Sequence, residues 1–76
     1  MPQDEIDVMS LAIQAKQMGY GDIDRVVARL RAIIARNEDY LAYRTRKRLH
    51  SPYNETVRED SLVLAAAIVL LESTQK

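Results

Sequence analysis

No cysteine, tryptophan or phenylalanine occurs in the 76 residues, and histidine occurs once, at His50. Without cysteine there is no disulfide framework, no thiolate nucleophile and no cysteine-ligated metal, and one histidine cannot form a metal-binding pair. Glycine and proline occur only twice each, and each sits where a helix should begin or end, which is the pattern of a helical protein. The longest apolar run, residues 62–71, is ten residues long, against the roughly 20 needed to cross a bilayer. The opening Met1-Pro2-Gln3-Asp4-Glu5 places no basic segment ahead of an apolar run, so no secretory signal and no membrane association are expected, and the expected location is cytoplasmic. Low-complexity tracts, Ser/Gly linkers and internal repeats are lacking as well.

Hydrophobic residues make up 47% of the chain, but its aromatics are only Tyr20, Tyr40, Tyr43 and Tyr53. The core must therefore be aliphatic. A chain this short holds one small domain, residues 1–76, and buries only about 60% of the surface it exposes when unfolded. With no disulfide or metal to staple it, association with a second copy is the remaining route to stability.

The formal net charge is zero, yet it is unevenly distributed. Residues 1–24 carry five acids against one lysine (net −4), residues 25–48 carry eight basic against two acidic groups (net +6), and residues 49–76 carry two against four (net −2). A basic middle between acidic ends can complement itself, and zero net charge lowers the barrier to self-association.

Periodicity and capping signals predict an all-α chain of three helices, at about 4–18, 22–49 and 55–73, with a long central helix in an antiparallel bundle completed by dimerisation. The first begins with Asp4, Glu5 and Asp7 against the positive end of its dipole and closes on Gly19 as a left-handed cap. Its apolar residues fall into two stripes, Ile6/Met9/Ile13 and Val8/Leu11/Ala15/Met18, so two packing neighbours are expected. Asp22 or Asp24 caps the second helix, whose face carries Ile23, Val26, Val27, Leu30, Ile33, Ile34 and Leu41. Asn37 falls on that face, either to fix register or to mark a break. Arg44 and Arg48 follow on the same side, and burying them requires partners, for which Glu55, Glu59 and Asp60 of an antiparallel third helix are expected. The third helix starts either from a Thr56-to-Glu59 capping box or from Ser51 with Pro52 at its first position. Its ten apolar residues surround the cylinder, which implies burial on every side and hence a second copy or another partner.

No catalytic arrangement assembles from these residues, and no enzyme activity, metal or cofactor is expected. The acids cluster at helix starts, where capping explains them, and Glu55 with Glu59 are too few to specify a metal. No glycine-rich phosphate loop or activated nucleophile is present. His50 is expected to cap a helix end or lie exposed. Residues 11–30 can be laid on a helix-turn-helix template, but Asp22 and Asp24 would face phosphate, and Arg25 stands where an aliphatic residue belongs. Met18-Gly19-Tyr20 resembles the loop tripeptide of ubiquitin-associated domains over those three residues alone, and the long second helix departs from that compact pattern.

What remains is an interaction protein. Arg25, Arg29, Arg36 and Lys47 share one side of the central helix with Tyr40 and Tyr43, forming a basic stripe with rings set into it. Leu62, Leu64, Ile68 and Leu71 are the expected self-association residues. Tyr40, Tyr43, Arg44, Arg46, Lys47 and Arg48 are the expected partner surface. The function expected is a small adaptor or regulator, a homodimer that binds an unidentified protein. The alternatives are a nucleic-acid-binding regulator using the same basic surface, or a helical accessory subunit docked on a larger enzyme.

Overall fold

The computed structural model describes residues 6–75, which form three helices and no strand: α1 (Val8–Gln17), α2 (Ile23–Arg46) and α3 (Pro52–Ser73). Each start has a local cause. Asp7 caps α1 by accepting a hydrogen bond from the Ser10 amide at 3.1 Å, and Asp22 caps α2 through the Asp24 amide at 3.1 Å. The expected start near Asp4 lies outside the described residues, but Ile6 and Asp7, expected within the helix, precede it, because Asp7 is extended and spends its side chain on the cap. Ser51 is the N-cap of α3 with Pro52 at its first position, so Thr56 sits within the helix and the alternative capping box is not used.

The two chain reversals use the same termination. After α1, the Gly19 amide donates to the Lys16 carbonyl and the Tyr20 amide to the Ala15 carbonyl, both at 3.0 Å, with Gly19 at φ 102°. After α2, the Arg48 amide donates to the Thr45 carbonyl at 3.0 Å and the Leu49 amide to the Arg44 carbonyl at 2.9 Å, with Arg48 at φ 56°. This is the Schellman pattern, in which one left-handed residue satisfies the orphan carbonyls of the last turn. It ends α2 at Arg46, short of the expected 49.

The packing is an antiparallel hairpin of α2 on α3. Along α2 the inward positions Val27, Leu30, Ile34, Asn37, Leu41 and Arg44 alternate spacings of four and three. Along α3, Asn54, Val57, Ser61, Leu64, Ile68 and Leu71 do the same, and all of these are buried or half-buried. That spacing keeps one seam in contact over many turns. Two hydrogen bonds fix the register: Asn37 Nδ2 donates to Ser61 Oγ at 3.2 Å, and Arg44 Nε donates to Asn54 Oδ1 at 3.3 Å. Continued along both helices, the register sets Leu41 opposite Val57, Ile34 opposite Leu64, and Leu30 opposite Ile68. The helix is unbroken at Asn37, which serves register within the chain.

Two expectations are corrected. Arg44 meets Asn54 rather than an acid, while Glu55 pairs with Arg58 on its own helix at 3.0 Å. Arg44 remains half-exposed, so its charge keeps solvent and needs no neutralising partner, and Glu59 and Asp60 are exposed on other faces of α3. The first helix does not pack on two neighbours. Among the described residues the one helix pair in contact is α2 with α3, and Val8, Met9, Leu11 and Ile13 of α1 are all exposed.

The seam determines the expected mutational pattern. Ile68→Ala, at a side chain 5% exposed, is expected to lower the unfolding free energy by about 2–5 kcal/mol, and Leu64→Ala by less because Leu64 is only half-buried. Ser61→Ala strands the Asn37 amide and is expected to cost about 1 kcal/mol, whereas Asn37→Leu combined with Ser61→Ala is expected to recover that loss. Urea denaturation midpoints read all four variants, and a double variant weaker than Ser61→Ala alone would reject the pair as a register device.

Candidate interaction surface

The hairpin leaves three surfaces uncovered. The first is the back of α3, where Leu62, Val63, Val69 and Leu70 are 62–68% exposed, with Ala65 and Ala66 exposed between them. An all-apolar helix buried along one seam necessarily carries its remaining apolar positions outward. The expected self-association residues divide accordingly. Leu62 lies on this outer face, Leu64 and Leu71 are half-buried beside the seam, and Ile68 is buried within it. Val63, Val69 and Leu70 went unnamed because periodicity cannot choose a face on a helix that is apolar all round.

The second surface is α1. The residues Val8, Met9, Leu11, Ile13 and Met18 are 53–72% exposed, and the helix buries no side chain. An open groove of about 380 Å³ runs between α1 and α2, lined by Ala12, Ala15, Met18, Tyr20, Val26, Arg29 and Leu30. Of the Val8/Leu11/Ala15/Met18 stripe, Ala15 and Met18 line it. The turn that holds α1 there is crowded: the Arg25 guanidinium lies 5.5 Å from the Tyr20 ring centre, and a methyl on Gly19 would fall 2.6 Å from Arg25 Nη1. Arg25 is therefore engaged at the turn rather than presented along a stripe.

The third surface is the C-terminal end of α2, where the six expected partner residues separate into two groups. Tyr40 is half-buried, packed edge-on against Tyr53 at 6.3 Å with the rings at 79°. The Arg44 guanidinium lies 5.7 Å over Tyr40, and its Nε bonds to Asn54, whose Nδ2 donates in turn to the Leu49 carbonyl at 3.0 Å. These two residues close the end of the hairpin. The other four, Tyr43, Arg46, Lys47 and Arg48, are exposed, with the Arg46 guanidinium 5.9 Å over the Tyr43 ring. The edge packing of Tyr53 and the bridging by Asn54 were not anticipated, because both depend on the hairpin register. His50 is exposed in the loop beyond the end of α2.

The described residues hold no cluster of three or more His, Asp or Glu side chains spaced for a metal ion, and no helix long and apolar enough to cross a membrane. The chain shows no significant match to a family model, to a curated protein or to a solved structure.

Arg48 holds a left-handed backbone with a side chain that disfavours it, by about 1–2 kcal/mol relative to glycine. Arg48→Gly is thus expected to raise the thermal midpoint while removing one of the four exposed groups at this end. Calorimetry checks it, and a lowered midpoint would mean that the Arg48 side chain makes a stabilising contact of its own.

Proposed function

We propose that this chain is a non-catalytic helical adaptor or regulator that works as a homodimer and binds an acidic partner protein through the end of α2. The observation that carries this reading is the amount of surface the chain leaves uncovered. Its accessible surface is 6438 Å², where a compact chain of 8.7 kDa has about 4,700 Å². Its radius of gyration is 15.3 Å, where a compact chain of this length has about 11 Å. The excess surpasses the roughly 800 Å² that each partner contributes to a standard interface. Much of the uncovered surface is aliphatic, on α1 and on the back of α3, and an apolar area of that kind in water favours association.

The acidic-partner assignment rests on three cations, Arg46, Lys47 and Arg48, standing exposed beside an exposed tyrosine. With no acid paired to them among the described residues, they present an uncompensated positive end. The same juxtaposition of an open ring and guanidinium favours one second reading, that of a nucleic-acid-binding regulator, since a base can stack on Tyr43 while the cations meet phosphate.

Light scattering across a hundredfold dilution, at low and moderate salt, is expected to return a dimer throughout. Leu62→Asp combined with Leu70→Asp is expected to return a monomer with its helicity intact. A monomeric wild type would overturn the homodimer and turn the back of α3 into a docking face for a larger protein, as in an accessory subunit. For the basic end, an acidic peptide is expected to bind and to be lost on Arg46→Glu with Lys47→Glu. Binding of single-stranded DNA that weakens steeply with salt, with no binding of the peptide, would select the second reading.

A further inference from the structure

We infer that the homodimer forms by arm exchange, with α1 of each copy lying on the back of α3 of the other. This rests on the homodimer reading and specifies its geometry. The arm and its seat are the two apolar surfaces the chain leaves open, and they match in length: ten-residue α1 is about 15 Å long, and the stretch from Leu62 to Leu70 is about 12 Å. The stripe that would dock is Met9 and Ile13, 71% and 54% exposed, because Ala15 and Met18 of the other stripe face the groove against α2.

Closure within one chain is ruled out by reach. The back of α3 faces away from α2, beyond two helix layers of about 8–10 Å each. The link from α1 to α2 is too short and too tied to span them. The Gly19 and Tyr20 amides bond back into α1, Asp22 already caps α2, and Arg25 folds over the turn. A second copy escapes that constraint, and a two-fold axis makes the exchange reciprocal, so the Met9/Ile13 stripe and the back of α3 of each copy are covered. This accounts for why α1 projects from the hairpin, in a molecule whose principal extents are 40 × 40 × 21 Å.

Because the chain has no cysteine, cross-linking can test this cleanly. Met9→Cys and Val69→Cys chains are made separately, mixed under denaturing conditions, refolded together and oxidised. The expected product is a mixed disulfide between one chain of each kind, with little cross-linking of either variant alone. If Val69→Cys cross-links to itself and the mixed product is absent, the dimer is built α3 on α3 and arm exchange is overturned while the homodimer stands. A monomeric wild type by light scattering overturns both. Ile13→Asp provides an independent check: it is expected to weaken dimerisation by roughly tenfold or more, since it places an unpaired charge in the contact, with the helicity of the hairpin unchanged. Wild-type dimerisation by that variant would exclude α1 from the interface.

Discussion

Two helices of comparable length, each with inward positions spaced four and three apart, can slide past one another by a heptad and still bury aliphatic side chains. What prevents that here is a polar pair in the middle of the seam, the Asn37 amide on the Ser61 hydroxyl at 3.2 Å. Shifted by a heptad one way, Ser61 would face Leu30 and its buried hydroxyl would lose its partner; shifted the other way, Asn37 would face Ile68, and either loss is comparable to the hydrogen bond itself. An apolar pair in that layer would hold the helices more tightly but select no single register, as with polar residues in coiled-coil seams generally. The end of the hairpin depends on the same register. Arg44 reaches Asn54, and Tyr40 meets the edge of Tyr53, only because Asn37 stands opposite Ser61.

A fold held by one seam leaves most of its apolar surface unenclosed. The buried hydrophobic side chains are Val27, Leu41, Val57 and Ile68, and none of them is sealed completely. Among the described residues the thirteen large exposed hydrophobic side chains far outnumber them, which makes the isolated hairpin a half-finished core rather than a small complete one. In the homodimer we propose, association supplies what length cannot, since a chain without cysteine has no disulfide to do so. The basic end of α2 lies outside this economy of burial. Its four exposed groups contribute nothing to the seam.

Much of this was legible from residue order, and the parts that were not share a cause. The caps at Asp7 and Asp22 act over two or three residues, so acids at helix starts are visible in the sequence, and Ser51-Pro52 is one of the two starts it offers for α3. The stop after α2 was missed by three residues because it relies on Arg48 in a left-handed conformation, where glycine or asparagine is the usual signal. The apolar face of α2 was identifiable because its other side is charged. On α3 every side of residues 62–71 is apolar, so Ile68 and Leu62 were indistinguishable until the hairpin turned one inward and left the other outside. The pairing expected between Arg44 and Glu55, Glu59 or Asp60 failed because charge sign does not encode which side chain lies opposite. The Asn54 amide fills that place instead.

The sequence by itself determined that the chain is helical, roughly where its three helices lie, that its core is aliphatic, and that its positive charge gathers along the middle helix. These follow from interactions within a few residues of one another and from composition. Only the tertiary structure decided which face of α3 is buried, that Asn37 answers Ser61, which tyrosine is free and which is packed, and that α1 stands away from the hairpin. Each of those depends on how α2 and α3 dock over their whole length, and docking is set by contacts between residues far apart in the chain.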